Sequence, residues 1–229
     1  MLEERLQTEE LMDDPALPEE TYRAVLADLS KVNRVTMAYR PTLKFLERAI
    51  GDRKSFKLLD VGFGQGDMLR EIAVWAKARG IKAELVGVDL NRRSEQAARE
   101  ATPANLPITY RTGDYGDLID NRWDFVISSL VAHHMSRDEL VLFLRFMESE
   151  ARSGWFVNDL HRHAASYMGY PILAKLAGWH EIVRQDGRTS IARSYRAEDW
   201  DALLAEAGIT KARVERHFPF RLCVERVNS

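Results

Sequence analysis

Asp60-Val61-Gly62-Phe63-Gly64-Gln65-Gly66 follows the run Lys57-Leu58-Leu59 and leads into Asp67-Met68-Leu69-Arg70, and this stretch decides the fold. The apolar run ahead of the glycines predicts a buried strand. The spacing behind them predicts a helix to about Arg79, stopped by Gly80. Three alternating glycines at a strand–helix turn let a ligand lie against bare backbone beside a helix N-terminus. Two residues narrow the ligand. Asp67 occupies the place of the third glycine in a pyrophosphate-binding turn, where it would crowd and repel phosphate. Asp60, at the strand end, is a poor neighbour for phosphate and a good one for a cationic amine or sulfonium. The turn therefore points to a nucleoside cofactor without phosphates.

Outward from the turn, strand and helix patterns alternate. Lys82 to Val88 predicts a second strand, followed by a helix from about Arg92 to Ala101. Ile108 to Arg111 predicts a short third strand, and Trp123 to Ser128 a fourth. A capping box, Ser136-Arg137-Asp138-Glu139, opens the next helix, and Gly154 to Leu160 predicts a fifth strand. The segment from about 161 to 194 breaks the alternation, with an apolar helical stretch (Tyr167, Met168, Tyr170, Leu173, Leu176, Trp179) and a polar loop near Gln185-Asp186-Gly187-Arg188. A helix from Ala197 to Ala207 and two strands, Ala212 to His217 and Phe220 to Arg226, complete the chain. This order implies an α/β fold: a doubly wound, mostly parallel, seven-stranded Rossmann-like sheet with an antiparallel C-terminal hairpin and helical lid elements. Residues 1–50, with helices expected at 18–33 and from Pro41, form an N-terminal helical extension; 51–229 form the main domain, with a helical insertion at about 161–194.

Composition narrows the setting. The 229 residues carry a net charge of −2 with no basic stripe, which speaks against nucleic acid as a partner. No apolar run is long enough to span a membrane, and the acidic start, Met1-Leu2-Glu3-Glu4, lacks the pattern of a secretory leader. A cytoplasmic protein, monomer or homodimer, is expected, with no membrane partner. The single cysteine, Cys223, lies in an apolar strand pattern and reads as a half-buried thiol.

Further acids follow at the strand ends. Asp89 closes the second strand roughly 20 residues beyond the glycines, where a carboxylate can accept both ribose hydroxyls. Asp114, after Gly113 at the end of the third strand, can accept from an adenine amino group, with Tyr115 covering the ring. The ordered set Asp60, Gly62, Gly64, Gly66, Asp89 and Asp114 resembles the class I S-adenosylmethionine-dependent methyltransferases, over residues 57 to about 227. Phe63 departs from the Cys or Thr usual in that motif. The resemblance implies S-adenosyl-L-methionine as cofactor, held by these residues with Leu90, Tyr115 and Ser128.

Within the family, the run Ser128-Ser129-Leu130-Val131-Ala132-His133-His134-Met135 lacks the Asn/Asp-Pro-Pro-aromatic motif of amino-methylating enzymes and looks like the small-molecule branch. The resemblance to phenolic enzymes implies His133 as general base. A phenol with pKa near ~10 is a poor nucleophile until deprotonated, and a His near ~6.5 can take the proton. His161, in Asn158-Asp159-Leu160-His161-Arg162-His163, is the rival base. Asp159, His161 and His163 alternate as metal ligands could, but a helix is expected there and no further ligand is in view, so no metal is expected. The aromatic stretch at 167–179 suits a flat, apolar acceptor, and Arg34 or Arg40 is placed to pair the cofactor's carboxylate. The leading expectation is O-methylation of a phenolic or polyketide-like small molecule, as in secondary metabolism. C- or N-methylation of a quinol-type or other small molecule is the alternative, and a non-catalytic cofactor-binding protein the third.

Overall fold

The glycine-bearing strand β1 (Ser55–Val61) pairs in parallel with β2 (Lys82–Asp89) on one side and β4 (Trp123–Ser129) on the other. With β3 (Ile108–Thr112), β5 (Ala151–Leu160), β6 (Arg213–His217) and β7 (Arg221–Val227) it builds one seven-stranded sheet of order β3-β2-β1-β4-β5-β7-β6. β7 is antiparallel to both neighbours, as expected of a terminal hairpin. The computed structural model describes residues 2–228. Strand order reverses between β1 and β4, which opens a crevice at the carboxyl ends of these two strands.

Successive strand residues face opposite sides of the sheet, so both faces need cover. Leu58, Leu85 and Phe56 pack against α2 (Tyr39–Ile50) and α3 (Asp67–Ala78), where Phe45 stacks on Phe156 at 4.9 Å between ring centres. Leu59, Val86, Val126 and Val157 pack against α5 (Arg137–Glu150) and α8 (Ala197–Ala207). Ser136 and Glu139 form the reciprocal cap expected at the start of α5. The remaining elements are α1 (Glu19–Val35), α4 (Arg92–Ala101), α6 (Ala164–Leu176) and α7 (Glu181–Arg193), of which α1, α6 and α7 roof the crevice. Val25 and Val32 of α1 meet Ala174, Trp179 and Val183 there, with Met12, Leu29 and Tyr170 alongside.

One expectation is corrected. Gln185-Asp186-Gly187-Arg188 is not a loop but lies inside α7. These turn-forming residue types serve tertiary contacts instead. Asp186 accepts hydrogen bonds from the Leu11 and Met12 amides at 2.9 Å each, and Gly187 gives room for the Tyr170 ring. Of the aromatic stretch expected to face an acceptor, Tyr170 lines the crevice and Trp179 is buried behind it, whereas Met168, Leu173 and Leu176 are exposed.

A Cβ at position 187 would overlap the Tyr170 ring. Gly187→Ala should therefore destabilise the protein by about 1–3 kcal/mol, lowering the melting temperature by roughly 2–4 °C per kcal/mol. In an uncrowded helix the same change stabilises by about 1 kcal/mol, so a rise in melting temperature would refute the close approach of α6 and α7.

Candidate cofactor and acceptor site

The crevice holds a cavity of about 710 Å³ that runs from the glycine turn to the roof helices. At the turn, Gly62 and Gly66 both have positive φ, and each faces a side chain that leaves no space for a Cβ: Val131 over Gly62 and the Tyr110 hydroxyl over Gly66. The Gly64 amide donates to Asp89 Oδ2 at 2.9 Å, and the Asn91 amide donates to Asp89 Oδ1 at the same distance. Asp89 thus sits where β2 ends, held by the turn it serves, with lone pairs still available on both oxygens. Burial pushes its carboxyl up despite those two bonds.

A smaller chamber of about 30 Å³ opens beside the turn, with Asn33, Tyr39, Asp60, Asp67, Ser129 and Arg221 in its wall. Four buried polar atoms of that wall lack a partner: Asp60 Oδ1, Asn33 Oδ1, Ser129 Oγ and Arg221 Nη1. Unpaired buried groups of this kind each cost about 1–3 kcal/mol. A ligand end that carries both an ammonium and a carboxylate would satisfy them together, the ammonium on Asp60 and Asn33 and the carboxylate on Arg221 and Ser129. Burial pushes the Asp60 carboxyl well above its usual range, and the charges of Asp67 and Asp89 add to the effect. The residues present therefore fit the amino-acid end of S-adenosylmethionine.

At the opposite wall, a short turn after β4, Ala132–His134, presents two imidazoles. Asp159, at the end of β5, accepts from the His133 amide at 2.9 Å and meets His133 Nδ1 at 2.7 Å. The second nitrogen faces an acid from the chain's beginning: His133 Nε2 lies 3.5 Å from Glu10 Oε1. His134 repeats the arrangement, with Nδ1 3.2 Å from Asp13 Oδ2 and Nε2 3.8 Å from Glu10 Oε1. Glu10 also accepts from Ser190 Oγ at 2.8 Å, and Arg5 and Arg193 donate to the His133 carbonyl. Burial alone would lower the His133 pKa, but the charge and hydrogen bond of Asp159 and the nearby charge of Glu10 outweigh it and hold the group at about 9.

A family model described as a methyltransferase domain matches residues 58–154, the span from β1 to the middle of β5. The chain carries a class I S-adenosylmethionine-dependent methyltransferase domain. Solved structures share its fold. Magnesium protoporphyrin IX methyltransferase from Synechocystis PCC 6803, with bound SAH, aligns at a TM-score of 0.57 and 17% identity over 95% of this chain and 91% of its own. The plantazolicin methyltransferase BpumL, in complex with a pentazolic desmethylPZN analog and SAH, aligns at 0.65 and 14% over 89% and 74%. Human N-acetylserotonin methyltransferase, in complex with SAM, aligns at 0.63 and 16% over 90% and 55%. No curated protein matches the chain in sequence.

Among the expected cofactor residues of this methyltransferase, Asp60, Gly62, Gly64, Asp89, Leu90 and Tyr115 line the two cavities. Gly66 serves the turn from behind, against Tyr110. Asp114 is exposed between Gly113 and Tyr115, which line the cavity, and its Oδ1 accepts from the Gly116 amide at 2.7 Å to turn the chain. Ser128 is fully buried within the sheet and donates to the Val61 carbonyl, so its neighbours Ser129 and Leu130 are the residues that face the cavity. Arg34 and Arg40 are exposed and away from the chamber that Arg221 reaches. His133 lines the larger cavity, and its two carboxylate neighbours favour the imidazolium, which cannot take a proton. His161 lies elsewhere, in a separate cavity beside Arg162, His163 and Arg196. Glu10, Asp13 and Arg221 carry no local motif. The one trace of Glu10 and Asp13 in the sequence is the apolar pair Leu11-Met12 that they flank.

Arg221→Met should weaken S-adenosylhomocysteine binding about tenfold or more in calorimetry while leaving 5′-methylthioadenosine, which lacks the amino-acid end, unaffected. Equal losses for both ligands would remove Arg221 from the chamber. A raised folded-state pKa makes Asp60 a group whose stabilising share is lost as pH rises through that pKa. The ligand-free melting temperature should accordingly fall with pH more steeply in the wild type than in Asp60→Asn. Binding of a cationic ligand below that pKa should release a proton, seen as a dependence of the calorimetric heat on buffer ionisation enthalpy; its absence would place the ionised acid in the ligand-free protein.

Proposed function

We propose that this methyltransferase O-methylates a phenolic or polyketide-like small molecule. The observation that carries the reading is the composition of the acceptor end. Met12, Val25, Leu29, Val32, Tyr170 and Val183 form an apolar wall, and the titratable groups Glu10, Asp13, His133 and His134 stand beside it in the same cavity. An apolar pocket with a few convergent polar groups suits a flat ring that bears a hydroxyl. The named acceptors of the structural relatives, a porphyrin, a desmethylPZN analog and N-acetylserotonin, differ too much to select one for this chain, though all are small molecules or short peptidic ones.

S-adenosylmethionine, when bound, supplies a methyl group on a positively charged sulfur. Asp60, Asn33, Ser129 and Arg221 would anchor its amino-acid end, and Asp89 its ribose. The roof formed by α1, α6, α7 and the arm before α1 excludes water from the path between donor and acceptor. Alignment is the main contribution an enzyme makes to an in-line displacement with a good leaving group. The remaining task is to free the acceptor oxygen of its proton, and the cluster at His133 is the group placed to receive that oxygen.

Incubation with labelled cofactor and a panel of phenols, followed by mass spectrometry and NMR of the product, tests the reading. A methyl on oxygen supports it; transfer only to carbon or nitrogen would replace it with the quinol-type or amine reading. Bound cofactor without any transfer would favour a non-catalytic role. His133→Ala should lower turnover by about 10² or more with S-adenosylhomocysteine affinity unchanged. An unaltered rate would exclude the cluster from the acceptor site.

A further inference from the structure

We propose that Glu10, His133 and His134 bind a divalent first-row metal cation, of the zinc type, at the acceptor end of the cavity. The sequence pattern had offered Asp159, His161 and His163 as the thinkable ligands, but the fold buries Asp159 against His133, sends His161 and His163 to a separate cavity and assembles another set. The inference rests on the reading of this cavity as the acceptor site and names what activates the acceptor's oxygen.

The geometry has the form of a ligand set. Both imidazoles direct Nε2 at one oxygen of Glu10, from 3.5 and 3.8 Å, and the three donor atoms lie within 4.8 Å of one another. Those separations are too long for good hydrogen bonds. They approach the spacing of about 3.4 Å that follows for ligand atoms each about 2.1 Å from a tetrahedral ion. Both Nδ1 atoms are already engaged by carboxylates, His133 by Asp159 at 2.7 Å and His134 by Asp13 at 3.2 Å. A carboxylate behind each imidazole fixes the tautomer that leaves Nε2 free to ligate, and such outer partners recur around histidine-bound metals.

Charge agrees. Glu10, Asp13, Asp159 and Asp186 contribute four negative charges around the cluster, and Arg5 and Arg193 two positive ones. Once the imidazoles give up their protons the balance is −2, and a divalent ion in place of those protons would cancel it. Two imidazoles and one carboxylate suit zinc and its neighbours better than magnesium or calcium. Three protein ligands leave a position for an outside oxygen, the arrangement of reactive rather than structural sites. His134 is the most exposed of the three, so the open position faces the cavity mouth.

A cation here would lower the pKa of an acceptor hydroxyl placed on it. The proton then leaves to solvent, the oxygen forms its bond to the methyl carbon, and the carbon–sulfur bond breaks with its electron pair passing to sulfur. The products are a methyl ether, a neutral thioether and a proton.

The test titrates Zn²⁺ by calorimetry, and Co²⁺ by visible absorption, into chelator-treated full-length protein with S-adenosylhomocysteine bound. One ion per chain is expected, with the visible bands of a Co²⁺ site of low coordination number. His134→Ala and Glu10→Gln should each weaken metal binding about 10–100-fold. Affinity for S-adenosylhomocysteine and the melting profile show that each variant is folded, so the test does not depend on the buried His133. No binding, or binding equal in wild type and both variants, overturns the site and leaves an acid–imidazole network. Hydroxyl methylation that survives such a failure keeps the acceptor reading. Metal binding by a protein that methylates no hydroxyl keeps the metal site and removes that reading.

Discussion

The reversal of strand order between β1 and β4 is the constraint on which the rest depends. Connections leave these strands toward opposite faces of the sheet, so no loop between them covers the crevice at their ends. Cover has to come from outside the alternating core. It comes from α1 and the segment before it, and from α6 and α7 between β5 and α8. The site therefore has a floor built by strand ends and a roof built by insertions, and the two halves answer to different physics.

The floor could be read from local patterns because its residues sit at strand ends within short spans of sequence. Asp60, Gly62, Gly64 and Asp89 fall where a parallel strand must stop and turn, and their types match what a bare-backbone cradle and a ribose require. Even there, local pattern left something out at two positions. Asp114 has the residue type of a ligand acceptor and also of a turn former, and the chain uses the second property. Ser128 is one residue out of phase, and in a strand one residue is the difference between cavity and core.

The roof was hidden because it is made by pairs far apart in the chain. Asp13 meets His134 across 121 positions, and Asp186 holds Leu11 across 175. Nothing local marks Glu10 as a partner of two histidines, and an Asp-Gly pair inside a helix has the composition of a loop. Arg221 was missed for a related reason. It opens an edge-side strand antiparallel to β5, and register alone carries it to the chamber at Asp60. Of the two adjacent histidines, His133 was read as a base. Both prove to be oriented by carboxylates, and the carboxylate set is what changes their chemistry.

The attachment of the N-terminal arm has a kinetic meaning. Asp186 holds it by two backbone amides, Ser190 adds a hydrogen bond to Glu10, Arg5 and Leu6 bond the carbonyls of His133, Met135, Arg193 and Ala192, and Met12 packs into the roof. Bonds with a charged partner contribute about 1.5–3 kcal/mol each. A local opening that lifts the arm must break this whole set. Glu10 travels with it, so the same event that unlatches the cavity dismantles the cluster around the two imidazoles. Access to the cavity and the integrity of that cluster are therefore coupled.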